Sequence, residues 1–407
     1  MAAPLGARVR AFAVALVALA AATSAVLWGG GATGAGGSAG ARDWGVDLGI
    51  GDGAGEGRGG GAGVGEGRGG GIDDGAGSGA DTGGVSGIDI GTGGALGDIG
   101  AGAGSGSGVG VGVAPVEPDV SFWVDPDSGA ARQAAEWRRA GRVADALLMD
   151  RIASRAQAEW LAGPAPRAVV EARTTAAARE GRTAVLVAYY IPHRDCGSHS
   201  DGGARSATEY REWIDEFAVG LGERGAYVIV EPDAVAQAIA GCDRVAPAER
   251  YALLAYAVDR LERQPNTRVY LDAGNSAWHP DPHRLVGPLT RAGVARADGF
   301  ALNVSNFQTD AASSTYGSEL SGALGGKHFV IDSSRNGNGP HTGTESWCNP
   351  PGRALGVAPT TVTGAPLIDA YLWVKRPGES DGICRGGPPA GQWWPSYALE
   401  LARNARG

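Results

Sequence analysis

From residue 120 onward, short apolar runs alternate with longer segments whose apolar residues recur at three- and four-residue steps. The runs span 184–190, 227–230, 269–271, 300–304, 328–331 and 371–374, and two of the intervening helical patterns span 209–224 and 247–263. Alternation of this kind is typical of a parallel sheet covered by helices. Six or more such units without a dinucleotide-binding motif favour an α/β fold of the parallel β/α barrel type over an open doubly wound sheet.

Glycine defines the N-terminal boundary of this region. Most of the 71 glycines in the 407 residues lie between Gly29 and Gly112, where the heptad at 55–61 recurs at 65–71. Such a stretch has too little apolar surface to offset the entropy lost on ordering, so we predict a disordered linker over 29–118. The remainder, 119–407, has about the size of one catalytic barrel domain.

The first 28 residues have the pattern of an export signal. Arg8 and Arg10 precede an apolar run over 11–27, and small residues at 22–25 offer a cleavage site. Since the run is almost long enough to span a bilayer, a retained membrane anchor is the alternative to a cleaved signal peptide. We therefore predict a secreted protein, and favour cleavage over tethering.

The net charge of −9 and the pI near 5.3 disfavour nucleic acid or an anionic membrane as a partner, because both need clustered Lys and Arg.

The four cysteines, Cys196, Cys242, Cys348 and Cys384, predict two disulfides in an exported chain, with three pairings open. Their spacing contains no CxxC and no Cys/His cluster, so we expect no zinc site.

Aspartates follow five of the predicted strands: Asp195, Asp233, Asp272, Asp332 and Asp381. The carboxyl ends of the strands of a parallel barrel share one face, so these side chains are expected at one rim. A single aspartate after a strand is usually a turn residue or a helix cap, but five at equivalent places favour an active site. Asp332 can still be a cap or an arginine partner.

Crowded carboxylates suit glycoside hydrolysis. One must stay protonated to protonate the leaving oxygen, and the second activates water or attacks the sugar. A metal site is the rival use of clustered carboxylates. Aromatic residues near the strand ends, Trp123, Tyr189, Trp278 and Trp347, favour sugar stacking over metal binding.

Several motifs occur in a fixed order across residues 120–400. They are Arg194-Asp195-Cys196-Gly197, Val230-Glu231-Pro232-Asp233, Leu271-Asp272-Ala273-Gly274, Ser334-Arg335-Asn336-Gly337-Asn338-Gly339-Pro340, Trp347-Cys348-Asn349-Pro350 and Pro377-Gly378-Glu379. Together they closely resemble the catalytic domain of glycoside hydrolase family 6, the cellulases. The resemblance implies a distorted β/α barrel and inverting hydrolysis of β-1,4-glucan by a monomer that needs no cofactor and no metal.

The resemblance also implies roles for individual residues. Asp233 matches the proton donor, Asp195 the aspartate that raises the donor's pKa and acts on water, and Asp381 the carboxylate proposed as the base. The sugar-binding positions that it implies are Trp123, Tyr189, Asp272, Asn275, Trp278, Asn303, Trp347, Lys375 and Glu379. The disulfides it implies are Cys196–Cys242 and Cys348–Cys384.

Two residues depart from the family pattern. Asn275 lies where many members have His, and Asp201 lies where several have Ser or Ala, so Asp201 adds an acid near Asp195.

The short stretch 340–347 leaves little to roof a cleft, which favours an endoglucanase over a cellobiohydrolase. A catalytically inactive glucan-binding surface protein and a metal-dependent hydrolase are the alternatives from other classes.

Overall fold

The computed structural model of the protein describes residues 120–406. These form seven strands: β1 Glu159–Leu161, β2 Ala184–Ala188, β3 Ala226–Val230, β4 Thr267–Asp272, β5 Gly299–Leu302, β6 His328–Asp332 and β7 Ile368–Leu372. The helices are α1 Gly129–Arg139, α2 Val143–Ala153, α3 Pro166–Arg179, α4 Ala207–Leu221, α5 Ala234–Ala240, α6 Pro247–Leu261, α7 His283–Arg291, α8 Asp310–Ala323 and α9 Pro395–Asn404. The predicted export segment 1–28 and the Gly-rich segment 29–118 lie outside the described residues.

All seven strands are parallel and follow the order β1-β2-β3-β4-β5-β6-β7. Both faces of the sheet are apolar because both are covered. Val185 and Val187 of β2 belong to an inner cluster with residues of the other strands, whereas Leu186 packs in the outer cluster together with helix residues such as Phe217. This two-sided burial explains why the strands read as continuous apolar runs. The prediction of a parallel β/α barrel is confirmed.

The two edges of the curled sheet, β1 and β7, meet along a line that we call the seam. The backbone N–H of Ala158, just before β1, donates to the carbonyl of Trp373 over 3.0 Å. The indole N–H of Trp160 in β1 donates to the carbonyl of Val374 over 2.8 Å. β1 and β7 are not paired as neighbouring strands in the sheet. The hydrogen bonds that join them lie at the ends of the two strands.

Local signals explain the helix boundaries. The predicted helix 209–224 corresponds to α4, whose first turn is capped by the Ser206 hydroxyl accepting from the N–H of Glu209 over 3.1 Å. Gly222 ends α4 with a φ of 55°. A residue with a Cβ would be strained in this conformation, whereas glycine adopts it readily. The predicted helix 247–263 corresponds to α6, which begins at Pro247. Within residues 120–406, no helix has the length and apolar character needed to cross a bilayer.

The α8 glycines give a matched test of packing against the sheet. A Cβ added at Gly317 would lie 2.4 Å from Cε2 of the buried Phe329 ring, whereas one added at Gly322 meets no atom within 4 Å. We expect Gly317→Ala to lower the free energy of unfolding by about 1–3 kcal/mol through overpacking. Gly322→Ala should leave it unchanged or raise it by up to about 1 kcal/mol. Urea unfolding of both variants checks this, and equal effects would contradict the packing of α8 on β6.

Candidate active site

A cleft of about 890 Å³ lies at the carboxyl ends of the strands. Ten of the residues singled out in the sequence line it: Tyr189, Asp195, Asp201, Asp233, Asn275, Trp278, Trp347, Lys375, Glu379 and Asp381. They come from loops after four different strands and from the loop before β7. The structure thus brings together side chains almost 200 residues apart in the chain, as expected for the carboxyl face of a barrel.

Asp233 lies between β3 and α5 with a φ of 69°, in the left-handed region. Its backbone N–H donates to Oδ2 of Asp272 over 2.9 Å. Burial, followed by the negative charges of Asp272 and Asp195, raises the pKa of the Asp233 carboxyl well above its ordinary value. This environment favours the protonated form of the carboxyl, which is the state a general acid requires.

Asp272 is fully buried beside Asp233 and does not line the cleft. Its Oδ2 accepts from the backbone N–H groups of Asp233 and Gly274, while Oδ1 has no partner among the described residues. Burial raises its pKa to about 7. The structure therefore shows Asp272 in contact with the Asp233 backbone and not at a surface that a sugar can reach.

Asp195 begins the turn after β2, also in the left-handed region with a φ of 57°. Its Oδ2 accepts from the N–H of Ser200 over 2.7 Å, and its Oδ1 from Nε2 of Gln237 over 3.3 Å. Burial is the largest cause of its raised pKa. Gln237 lies four residues after Asp233 on α5, so this helix touches both acids; sequence reasoning did not identify it.

Asp201 lies on the same loop as Asp195, and its side chain is half exposed. Its Oδ2 is 3.5 Å from Nη1 of Arg244. Asp201 was noted in the sequence as an added acid near Asp195; the largest charge effects on the pKa of Asp195 are those of His199 and Arg194. The structure directs the Asp201 carboxylate toward Arg244 at the rim of the cleft.

Asp381 is held by cations. Its Oδ2 accepts from Nη1 of Arg335 over 2.9 Å and from the backbone N–H of Asn349 over 3.0 Å. Nζ of Lys375 lies 3.7 Å from its Oδ1. Arg335 is completely buried, and its Nη2 donates to the carbonyl of Ser305. Asp381 is therefore a carboxylate of fixed orientation whose charge two cations balance.

Asp332 is the strand-end aspartate with a structural role. Its two oxygens accept from four backbone N–H groups, those of Ser305, Ser334, Val374 and Lys375, at 2.9 to 3.2 Å. It thereby ties the ends of β5, β6 and β7 together. Of the two structural readings of Asp332, the backbone cap is the one seen, since Arg335 pairs with Asp381.

Besides Asp272, two further predicted sugar-binding residues, Trp123 and Asn303, lie outside the cleft lining. Trp123 is buried at the opposite end of the barrel, where its N–H donates to the carbonyl of Thr183 just before β2. Its indole donates to Oε1 of Glu180 over 3.0 Å. Asn303 is fully buried, and its amide donates to the carbonyls of Asp332 and Gln308. Both side chains are occupied by internal contacts, and neither lines the cleft.

The cleft contains an aromatic residue that sequence reasoning missed. Trp160 of β1 lines it and packs edge-on against Tyr189, with ring centroids 5.0 Å apart. A strand of three residues leaves too short a pattern to recognise, so β1 and its tryptophan were not predicted. Trp160 lies in the cleft, as had been expected of Trp123.

Both disulfides lie on loops of the cleft. Cys196–Cys242 joins the turn that carries Asp195 to the residue following Gly241 at the end of α5. Cys348–Cys384 joins the segment after Trp347 to the loop of Asp381. This is the pairing that the family resemblance implies, out of the three left open by the cysteine count.

The buried Asp272 should make stability depend on pH. Its ordinary pKa is 3.8 and its folded value is about 7, so between these the folded state keeps a proton that the unfolded chain has released. Stability therefore falls as pH rises through this window, by at most about 1.4 kcal/mol per pH unit. Asp272→Asn removes the share of Asp272, so its stability should fall less steeply than that of the wild type, while the other buried acids with raised pKa, Glu231 and Asp233, still contribute. Urea unfolding from pH 4 to 7 measures the difference.

The control is Asp215→Asn, whose carboxylate is half exposed on α4 and pairs with Arg260. If the stability of Asp272→Asn follows the same pH curve as the wild type and this control, the raised pKa of Asp272 is wrong.

Comparison with known proteins agrees with this geometry. The family model for glycosyl hydrolases family 6 matches residues 117–405. Endoglucanase A of Cellulomonas fimi is 46% identical over 294 residues, covering 71% of this chain and 62% of that protein. Endoglucanase A of Thermobispora bispora is 43% identical over 297 residues, covering 70% and 63%. The chain thus spans just under two thirds of the length of these two relatives.

A solved structure is similar along almost its whole length. It is the endoglucanase Cel6 from Mycobacterium tuberculosis in complex with methyl-cellobiosyl-4-deoxy-4-thio-β-D-cellobioside, with 47% identity and a TM-score of 0.65. The match covers 70% of this chain and 97% of that one. The seven parallel strands, the ordered motifs and these matches lead to one conclusion: the chain belongs to glycosyl hydrolases family 6.

Proposed function

We propose that this chain is an inverting endo-β-1,4-glucanase that hydrolyses internal bonds of cellulose or related β-glucans. The observation that carries the proposal is the Asp233 carboxyl in the wall of the cleft, whose pKa desolvation and the neighbouring acids raise well above the ordinary value. An acid whose protonated form is favoured and that lines a cleft of this size is suited to protonate a glycosidic oxygen.

In the proposed reaction, Asp233 gives its proton to the oxygen of the leaving sugar as the bond to the anomeric carbon breaks. A water attacks that carbon from the opposite face, and its proton passes to a carboxylate. Asp195 and Asp381 are the two candidates for this base. The surroundings of Asp195 favour it as the base. Burial raises its pKa, and a carboxylate with a higher pKa accepts a proton more readily. Asp381, held by Arg335 and Lys375, orients the groups around it.

Aromatic faces and a few polar groups suit the cleft to a neutral sugar chain. The side chains of Trp278 and Trp347 are 37% and 42% exposed, so each offers a ring face to solvent. Tyr189 and Trp160 form the wall near Asp233, and Lys375 and Glu379 add hydrogen-bonding groups. Stacking on apolar sugar faces combined with polar contacts to hydroxyls is the expected recognition.

The endo assignment is supported by the short stretch from Pro340 to Trp347 and by the names of the relatives at 43% and 46% identity. We propose that the protein acts outside the cell as a monomer. Two disulfides in the described part of the chain support an oxidising compartment. The export-signal pattern of residues 1–28 supports secretion.

Asp233→Asn tests the proton donor. Because asparagine has the same shape but no acidic proton to transfer, kcat on carboxymethylcellulose should fall by about a hundredfold or more, with the fold retained. Asp215→Asn on α4 is the control and should keep wild-type turnover. Near-wild-type kcat in Asp233→Asn would overturn the assignment.

The reaction pattern tests the rest of the proposal. An endo-acting enzyme should lower the viscosity of carboxymethylcellulose well before reducing ends accumulate, and proton NMR should show the α-anomer as the first product. Slow viscosity loss with cellobiose as the main product would mean a cellobiohydrolase. Binding of cello-oligosaccharides without cleavage would mean a glucan-binding protein, and loss of activity with a chelator would mean a metal-dependent hydrolase.

A further inference from the structure

We propose that Arg376 is a positioning residue that locks the seam of the barrel and thereby sets the spacing of Trp160 and Glu379, which hold one sugar unit of the substrate between them. This inference rests on the proposed function, since it assumes that the cleft binds a glucan. It concerns a residue that does not line the cleft itself.

Arg376 makes contacts to both edges of the sheet. It follows β7 by four residues, and its Nε donates to the carbonyl of Ala158 over 2.8 Å, across the seam. Its Nη2 lies 2.8 Å from Oε1 of Glu159, the first residue of β1. Its Nη1 lies 2.9 Å from Oε1 of Glu379, on its own side of the seam. One planar guanidinium therefore joins the two edges.

The two cleft residues on either side of the seam depend on this spacing. Trp160 follows Glu159 directly and hydrogen-bonds across the seam to the carbonyl of Val374. Glu379 is mostly buried and lies in the cleft lining with its carboxylate paired to Arg376. Nζ of Lys375 lies 6.0 Å from the centre of the Trp160 ring, so the two edges meet at this part of the cleft. If the seam widens, Trp160 and Glu379 move apart.

Glu159, the partner of Arg376 on β1, is itself held by a second arginine. Oε2 of Glu159 is 3.0 Å from Nε of Arg173 on α3, and Nη1 of Arg173 is 3.3 Å from Oδ2 of Asp125. Charges therefore alternate in sign from Asp125 through Arg173, Glu159 and Arg376 to Glu379. Linked, partly buried ion pairs of this kind hold their geometry better than isolated surface pairs.

The chemistry of arginine is needed at this position. The three contacts of Arg376 leave from three different nitrogens of a rigid fork, which the single ammonium of lysine cannot reproduce. Without the guanidinium, Glu159 and Glu379 would also face each other as like charges. A loss of Arg376 should therefore act on sugar binding more than on the proton transfers at Asp233 and Asp195, which lie on other loops.

The test compares Arg376→Gln, Arg376→Lys and Glu159→Gln with the wild type, with kcat and KM measured separately on a soluble β-1,4-glucan. We expect Arg376→Gln to raise KM about tenfold or more while kcat changes less than about threefold, because a charge-assisted contact is lost while Asp233 and Asp195 lie on other loops. Arg376→Lys should recover part of the KM. Glu159→Gln, which keeps Arg376 and Glu379, should give a smaller rise.

Binding is measured in parallel by calorimetry with cellotetraose, each variant being combined with Asp233→Asn to prevent cleavage. Arg260→Gln is the matched control. Arg260 on α6 forms an ion pair with Asp215 on α4, as Arg376 does with its glutamates, but it does not line the cleft. Glu379→Gln combined with Arg376→Gln should weaken binding by less than the sum of the two single effects, since both act through one contact.

The outcomes separate the two claims. If Arg376→Gln lowers the melting temperature but leaves KM and the dissociation constant unchanged, Arg376 is only structural and the inference is wrong. An equal fall of kcat in Arg376→Gln and Arg376→Lys with KM unchanged would also overturn it. If the wild type neither cleaves the glucan nor binds cellotetraose, the proposed function fails and takes this inference with it. Should Arg376→Gln not fold, Glu159→Gln decides by the same criterion.

Discussion

The close approach of three carboxyl groups at the ends of β2, β3 and β4 is the constraint on which the rest of the site depends. Asp233 lies near both Asp272 and Asp195, and desolvation raises the pKa of all three, so their charged forms are disfavoured. Burying such groups lowers stability, and only a rigid surround can hold them in place. The barrel supplies this surround, because parallel strands deliver backbone donors and side chains to one rim.

The rim is also where the backbone is strained. Asp195, Glu231, Asp233, Asn303 and Ser305 all have positive φ values, and each follows a strand. Such conformations persist only where neighbouring contacts over-determine them. Glu231 is one source of that support. Its carboxylate is fully buried, its pKa is raised to about 7 by burial, and it accepts from the N–H groups of Tyr190 and Ile191 at the end of β2.

The sequence predicted the barrel and most of the cleft because both depend on local patterns. Runs of apolar, often β-branched residues mark strands that are buried on both faces, and an aspartate after five of these runs marks the rim. Interactions between distant segments leave no such pattern. The position of Trp160 on a three-residue strand, the contact of Gln237 with Asp195 and the opposite-end location of Trp123 follow from packing alone. Asp272 and Asp332 were found as strand-end acids, but their contacts with backbone N–H groups depend on the fold.

Both disulfides join loops, and neither cysteine pair lies within a strand of the sheet. Their loops carry Asp195 and Asp381, whereas the apolar core that holds the barrel together contains no crosslink. The crosslinks therefore restrain the loops that carry two of the acids, whereas the barrel beneath them is held by buried apolar packing. The geometry of the cleft and the stability of the barrel thus depend on different kinds of bond, covalent links at the rim and apolar contacts in the core.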